Sequence, residues 1–375
     1  MKQEFKICAK TVMDTSDPDI VFDDTGISNH YYDYSSKVSV RIEDEKNGAD
    51  KLKGIIDRIK REGKNREYDC IVGISGGTDS TYVVYKCIEY GLRPLAVHFD
   101  NGWNSELAVS NIEKVLKQLN VDLYTYVIDW EEFSSLQLSF LKSSTPDIEI
   151  PTDHAIFALL YEVARKHGIK YIMNGMNFRT ESIMPFSWAY GHIDWKYISS
   201  VHKRFSTTKL KHYPHFSFSK LLYYTLVKRI QFVSILNYIP FNKEEAQKLL
   251  SEKLGWKNYG GKHHESVYTR IVQSYILPEK FNIDKRKAHL SNLILSSQIT
   301  REEAMKELES PPFNRETVEE DIDYLIKKLR LTREEFDRIM NNATLSFRDY
   351  PNNFKLYTLA KKAQQYLRKH NIFHK

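Results

Sequence analysis

The chain has 375 residues, 41% of them hydrophobic and 28% charged, an ordinary globular balance that excludes a disordered chain, a collagen-like fibre and a coiled-coil rod. At about 150 residues per domain the length predicts two domains, or one with a large appendage. Fifty-five Lys and Arg against 49 Asp and Glu leave a net charge of +6, which suits an enzyme handling anionic substrates and falls short of the dense basic stripe of a dedicated nucleic-acid binder.

Residues 1–48 are rich in Asp, Tyr and Ser and show no long periodic element. From Lys51 the pattern turns helical, with Leu52, Ile55, Ile56 and Ile59 on one face and Gly63 as the stop. A short apolar run at residues 68–74 reads as a strand buried on both faces, and a helix over 80–90 follows it directly. A second strand (95–99), a helix carrying Leu107, Ile112, Val115, Leu116 and Leu119, a third strand (123–128), a helix (155–167) and a fourth strand (171–173) complete the alternation. Such alternation predicts an α/β fold: a parallel twisted sheet with helices on both faces. The apolar stretch 221–239 carries Lys228 and Arg229 at its centre, too costly for a membrane span, and reads as a buried or half-buried helix, with a membrane-surface helix as the alternative. After about residue 190 strands are expected to vanish and helices to dominate, with capping boxes at Thr300/Glu303 and Thr332/Glu335 and a break at Pro311-Pro312. The divisions are thus an N-terminal segment (1–48), an α/β nucleotide-type domain (49–190) and a helical C-terminal region (191–375). The first residues lack the apolar core of a signal peptide, so a cytoplasmic protein is expected. Cys8, Cys70 and Cys87 are too few and scattered for a disulfide framework, and the last two read as core residues.

The first strand runs straight into Ser75-Gly76-Gly77-Thr78-Asp79-Ser80, where a helix begins. Two glycines let the backbone turn tightly and approach a ligand, and the amides opening the helix favour an anion. Ser75 and Ser80 add hydroxyls, and Asp79 can hold the loop or a magnesium ion. The pattern after an apolar strand resembles the pyrophosphate loop of the ATP pyrophosphatase superfamily, which splits ATP into AMP and pyrophosphate. It lacks the Gly-Lys-Ser/Thr of a Walker loop. Ligands in parallel sheets bind beyond the carboxyl ends of strands. Asp100 and Asn101, ending the second strand, therefore read as nucleotide contacts or as a simple Asp-Asn-Gly turn. After the fourth strand, Gly175 would allow close approach to the nucleotide, and Arg179 and Glu181 offer charge to phosphates or magnesium. Asp153 and His154 open the helix before that strand, either facing the nucleotide or capping the helix.

Three further blocks, residues 12–20 (Val-Met-Asp-Thr-Ser-Asp-Pro-Asp-Ile), 259–270 (Tyr-Gly-Gly-Lys-His-His-Glu-Ser-Val-Tyr-Thr-Arg) and 284–291, resemble the N-acetyl sugar amidotransferases of bacterial surface-polysaccharide (LPS, O-antigen) synthesis. With the Ser-Gly-Gly loop, the resemblance covers nearly the whole chain in order. It implies ATP and Mg2+ as cofactors and an N-acetyl, nucleotide-linked sugar as substrate. An acetamido oxygen is adenylated, and ammonia then displaces AMP to leave an acetamidino group. The implied ammonia suppliers are a glutaminase and a cyclase-type subunit resembling the halves of imidazole glycerol phosphate synthase. No glutaminase nucleophile is legible in this chain. Lys262, as a catalytic candidate, and His263, His264 and Glu265, as substrate ligands, are the candidates in the second block. Lys285-Arg286-Lys287 reads as a solvated face rather than an anion clamp. The family's four-cysteine zinc knuckle is reduced here to Cys8, with Thr11, Ser28 and Tyr31 at the other positions, so no structural zinc is expected. Packing of Tyr31, Tyr32 and Tyr34 would have to hold such a knuckle. Competing readings are a catalytically silent nucleotide-binding protein, against which the intact Ser-Gly-Gly-x-Asp-Ser turn speaks, an asparagine-synthetase-like ligase and a transfer-RNA-modifying pyrophosphatase. Sulfur-using members of the latter need cysteine pairs that are missing, and the modest charge argues against tight RNA binding.

Overall fold

The computed structural model describes residues 4–42, 45–259 and 266–369. Helices α1 (Asn29–Arg41) and α2 (Glu45–Gly63) precede β1 (Cys70–Gly73), α3 (Thr78–Glu89), β2 (Pro94–Asp100), α4 (Glu106–Leu119) and β3 (Leu123–Val127). Then come α5 (Trp130–Lys142), α6 (Ile150–Lys166), β4 (Tyr171–Asn174), α7 (Phe178–Glu181), α8 (Trp195–Phe205), α9 (Phe218–Leu222), β5 (Gln231–Ser234) and α10 (Lys243–Leu254). The C-terminal region adds α11 (Val267–Ile271), α12 (Leu277–Phe281), α13 (Lys285–Leu295), α14 (Arg301–Glu309), α15 (Arg315–Lys328), α16 (Arg333–Asn341) and α17 (Phe354–Lys369).

The five strands form one parallel sheet in the order β3-β2-β1-β4-β5. The period of two along each strand sends side chains to opposite faces. Ile71, Leu95, Val97 and Ile172 join a core with α5, α6 and α8. Cys70, Val72, Ala96 and Met173 face the other way, against α2, α3, α4 and α10. Cys70 and Cys87 are both fully buried there.

Several expectations need correction. Residues 1–48 do contain a helix, α1, whose Tyr34 and Val38, one turn apart, pack on the main core. Of the three tyrosines expected to hold this segment, Tyr34 is buried in the core, Tyr31 is half-buried with its ring edge-on to Tyr32 at 5.4 Å, and Tyr32 is 51% exposed. The helix α5, between the third strand and 155, was not legible as a separate element; Asp129 caps it, accepting from the Glu132 amide at 3.0 Å. The stretch 221–239 is not one helix. α9 widens into a π-turn over Tyr223–Val227, Arg229 takes a left-handed φ of 54°, and the chain leaves as β5. Phe232 then packs on Phe157 and Tyr161, while Val233 turns to the opposite core, the alternation of a strand. Strands therefore continue past residue 190, because β5 pairs with β4 at the sheet edge. Both expected capping boxes form, at Thr300/Glu303 and Thr332/Glu335.

The two signature blocks at the ends of the sequence meet in space. Lys287 on α13 pairs with the buried Asp14 at 2.5 Å, the Val12 amide donates to Ser291 Oγ at 3.2 Å, and Arg301 donates to the Cys8 and Thr11 carbonyls. Lys285 pairs with Glu149 and Arg286 with Asp284. The Lys285-Arg286-Lys287 run is thus a set of three partly buried ion pairs rather than a solvated face. Asp17, also buried, accepts from Ser187 Oγ at 2.7 Å and faces His30 Nε2 at 2.7 Å.

Of the four knuckle positions, Cys8, Thr11 and Ser28 are buried, and the Ser28 amide donates to Cys8 Sγ at 3.3 Å. Burial alone would raise the Cys8 thiol, but hydrogen bonds from Ser28, Thr11 and the backbone outweigh it and lower the pKa. Hydrogen bonds to a single sulfur stand where four thiolates would hold a metal. Elemental analysis of the purified protein is expected to show well below one zinc per chain. Among the described residues, a different group, Asp129, Glu132 and His212, brings three ligand atoms within 4.8 Å of one another. Stoichiometric zinc that disappears in His212→Ala would locate the metal there.

Candidate active site

The strand order reverses between β1 and β4, since the chain winds outward through β2 and β3 and then returns to β4 and β5. At such a reversal the loops leaving the two central strands part and open a crevice at the carboxyl edge. The Ser75–Ser80 turn leaves β1 into this crevice and the Asn174–Gly175 turn leaves β4 beside it. Gly175 is packed on the neighbouring loop, since a Cβ there would lie 2.9 Å from Asp79 Cβ and 3.0 Å from its carbonyl carbon. The glycine thus serves loop-to-loop contact, a closer approach than the nucleotide contact expected from sequence.

Within the turn, Gly76 adopts φ +82° and a Cβ would meet the Ala108 carbonyl oxygen at 2.7 Å. Ser75 Oγ accepts from the Gly77 amide at 3.3 Å, and Ser80 Oγ donates to the Gly77 carbonyl at 3.2 Å and lies 3.3 Å from Ser75 Oγ. Two hydroxyls therefore bracket the turn at the opening of α3, with Asp79 in that helix's first turn. Thr78 is buried and its hydroxyl accepts from Gln247 Nε2 of α10 at 3.2 Å.

The loop is also clamped from outside the expected domain. Trp256, buried, donates its indole N–H to the Gly76 carbonyl at 2.8 Å, and the Tyr259 hydroxyl donates to the same oxygen. On the other side of residues 260–265, Ser266 bridges to Asn104 and the Val267 amide donates to the Trp103 carbonyl at 3.0 Å. Both flanks of the second signature block are thus anchored to loops that leave β1 and β2. Lys262, His263, His264 and Glu265 themselves lie outside the described residues.

At the end of β2, Asp100 Oδ1 accepts from the Gly102 amide and Asn101 Oδ1 from the Trp103 amide, both at 3.0 Å. These oxygens shape the Asp-Asn-Gly turn, the simpler of the two readings. His98, which the sequence did not single out, is buried and spans the gap between strands. Its Nδ1 lies 3.0 Å from the Ile74 carbonyl and its Nε2 3.2 Å from Asn104 Nδ2. A carbonyl only accepts, so Nδ1 carries the proton and the imidazole ties the carboxyl ends of β1 and β2 together. Lys328 of α15 donates to the Gly102 carbonyl and sits over the rings of Trp103, Trp130 and Tyr324, at 4.7, 5.1 and 5.2 Å. Neither the tryptophan clamp nor this cage had a spacing signal, because their members are distant in sequence.

Asp153 and His154 part company. His154 is fully buried, with Nδ1 facing the His192 carbonyl at 2.9 Å and Nε2 accepting from the Phe216 amide at 3.3 Å. Burial pushes its pKa down to about 3, so it is a neutral core residue. Asp153 is open to solvent, yet surrounding protein first, and the charge of Glu149 second, push its carboxyl up to about 7, against the pull of Lys285. Asp153 sits in the first turn of α6. Arg179 on α7 donates to the Ile239 carbonyl at 2.9 Å, which anchors α7 to the segment after β5. Glu181 on the same turn is exposed.

Asp147, just ahead of α6, is buried and accepts from the Tyr190 amide at 2.5 Å and the Tyr197 hydroxyl at 3.0 Å. Burial raises its carboxyl to about 7, above the roughly 3.9 of an unfolded aspartate. The folded chain therefore keeps a proton that the unfolded chain releases, and this contribution to stability is lost as pH rises from about 4 through 7. Asp147→Asn should remove part of that loss, on the order of 2 kcal/mol between pH 5 and pH 8. Denaturant unfolding at the two pH values checks it, and parallel behaviour of variant and parent would sink it.

Residues 265–364 match the model of the WbpG-like C-terminal domain of LPS biosynthesis proteins. Over 269 residues the chain is 24% identical to the uncharacterized protein MJ1599 of Methanocaldococcus jannaschii, covering 71% of this chain and 80% of the relative. Among solved structures it is similar to NMN synthetase from Francisella tularensis (14% identity, TM-score 0.30, 60% of this chain and 96% of that one). It is also similar to NH3-dependent NAD synthetase from Campylobacter jejuni (16%, TM-score 0.29, 56% and 84%).

Proposed function

From a chain whose residues 265–364 match a WbpG-like LPS biosynthesis domain, we propose an ATP-dependent amidotransferase that converts an acetamido group of an N-acetyl, nucleotide-linked sugar to an acetamidino group. The observation that carries this reading is the double clamp of Trp256 and Tyr259 on the Gly76 carbonyl, which seats the approach to the WbpG-like region on the anion-binding turn. The turn would bind the pyrophosphate of ATP through the amides at the start of α3 and the Ser75 and Ser80 hydroxyls. Asp79 and Glu181 are the carboxylates suited to hold magnesium, which would neutralise phosphate charge.

In the first step the acetamido oxygen attacks the α-phosphorus of ATP, a P–O bond forms and pyrophosphate leaves. In the second, ammonia adds to the imidate carbon and the C–O bond to AMP breaks, with one proton lost from nitrogen. An amide oxygen is a poor leaving group, and adenylation makes it a good one. Asp153, titrating near neutrality, is suited to take the proton. Arg179 and Lys262 are assigned to phosphate charge, and His263, His264 and Glu265 to the sugar. Asp100, Asn101 and Gly175 shape the adenosine side of the crevice.

Ammonia would come from separate glutaminase and cyclase-type subunits. The isolated chain is expected to use free ammonium, with a rate climbing toward the pKa of ammonium because the unprotonated species reacts. It should use glutamine only when a glutaminase is added. AMP and pyrophosphate release with candidate nucleotide-linked N-acetyl sugars tests the reaction. Glutamine-dependent amidination by the chain alone would overturn the division of labour, and turnover with aspartate in place of a sugar would favour the asparagine-synthetase-like alternative.

A further inference from the structure

Charge is unevenly distributed along this chain. Between Asp194 and Glu244 lie 49 residues without a single acid and with nine Lys and Arg, and residues 350–369 hold five Lys and Arg and again no acid. The other residues then carry 41 bases against 49 acids, so the basic excess belongs to these two stretches. They are adjacent in the fold. Phe218 of α9 meets Tyr357 of α17 edge-on at 5.4 Å, the Arg204 guanidinium lies 5.1 Å from the Tyr350 ring, and Ser200 Oγ donates to the Pro351 carbonyl at 3.0 Å.

The same stretches carry aliphatic side chains turned outward. On α9 and its π-turn, Leu222, Tyr223, Leu226 (70%) and Val227 (67%) are exposed, while Tyr224 alone is buried. On α17, Leu356 and Leu359 (65%) are exposed, and Tyr357 anchors the helix through its hydroxyl to the Ile193 carbonyl. Lys220, Lys228 and Arg229 flank the first group and Lys355, Lys361 and Lys362 the second, all exposed. Glu162 is the acid beside Lys220, at 4.0 Å, and it is already held by Arg165 and the Tyr224 hydroxyl.

We propose that this face, formed by residues 218–229 and the first turns of α17, docks on the surface of a bilayer containing anionic lipid. Aliphatic side chains flanked by Lys and Arg, from stretches without an acid and beside a Glu162 already paired with Arg165, are the composition of an interfacial helix, which sinks its apolar face to the headgroup boundary while its cations meet lipid phosphates. A nucleic acid would use the cations but leave the leucines and Val227 without a partner. No helix among the described residues is long and apolar enough to cross a membrane, so the contact is one of lying on the surface. Leu226 and Val227 end the π-turn that precedes the edge strand β5, and Trp256, Tyr259 and the Ser75–Ser80 turn take no part in the face.

Co-sedimentation of the full chain with phosphatidylcholine vesicles, with and without about 30% phosphatidylglycerol, tests the proposal. The chain should bind the anionic vesicles at low salt and release as salt rises, with little binding to the neutral ones. Leu226→Glu with Val227→Glu, and separately Lys228→Glu with Arg229→Glu, should each cut the bound fraction several-fold while leaving the melting temperature and ATP turnover unchanged. Leu359→Glu reports the contribution of α17. Failure to bind anionic vesicles overturns the proposal. So does binding that survives the Leu226/Val227 change, or that single-stranded RNA competes away without regard to that change, since either marks a generic polyanion site.

Discussion

Asp79→Ala is expected to lower pyrophosphate release from ATP by about 10²–10³-fold, the order of loss on deleting one group that stabilises transition-state charge. The fold should survive. Asp79 occupies the first turn of α3 at the crevice, outside the buried strands, and alanine is a good helix former. The residue is only half-buried, so its side chain can be removed without opening a core cavity. Matched circular dichroism and melting curves, measured beside AMP and pyrophosphate release under fixed magnesium and ATP, check both halves. Parental turnover in the variant would remove Asp79 from the reaction and with it the reading of this turn as a pyrophosphate site.

Gly76→Ala should do more damage, because it breaks the turn itself. The residue sits at φ +82°, where a Cβ is strained whatever the space, and the new methyl would come within 2.7 Å of the Ala108 backbone carbonyl and 3.0 Å of the Tyr259 hydroxyl. Left-handed strain contributes about 1–2 kcal/mol, and the overlap with the Ala108 backbone adds a shift that no side-chain rotation can absorb. The expected outcome is a stability loss of about 2–4 kcal/mol together with loss of ATP turnover. The Gly76 carbonyl is also the acceptor for Trp256 and Tyr259, so indole fluorescence should report the released clamp. Trp256→Phe separates the two effects, since it removes one donor and leaves the turn's backbone conformation possible. Unchanged stability and turnover in Gly76→Ala would mean that the turn relaxes freely and that the clamp does not set its shape.

Much of this was legible in one dimension. Apolar runs of strand length, each followed by a stretch of helical period, require a parallel sheet, because only crossover helices can connect parallel neighbours and cover both faces. The Ser-Gly-Gly turn announced itself because its chemistry is local: two glycines, two hydroxyls and a helix start within six residues. The capping boxes at Thr300 and Thr332 were readable for the same reason. The helix α1 was not, since tyrosines and serines gave no clear apolar stripe and only Tyr34 and Val38 reach the core. β5 was hidden inside an apolar stretch, whose continuous hydrophobicity does not reveal whether its period is two or 3.6 until Arg229 turns the chain and β4 offers an edge.

Other features existed only once the chain was folded. His98 became a tie between strands because β1 and β2 lie in register, with Gly73 opposite Val97. His154 became inert because Phe216 and His192 closed around it, and Asp153, its neighbour in sequence, stayed exposed. Lys285, Arg286 and Lys287 look like a solvated run in the sequence, and α13 aims each at a different acid. Sequence by itself determined the α/β alternation and the anion-binding turn, because both depend on residues a few positions apart. Tertiary structure alone decided that Trp256 and Tyr259 close on Gly76, and that residues 12–20 and 284–291 form one unit. Those contacts join residues roughly 180 to 280 positions apart, and no local preference encodes the loop closure that brings such partners together.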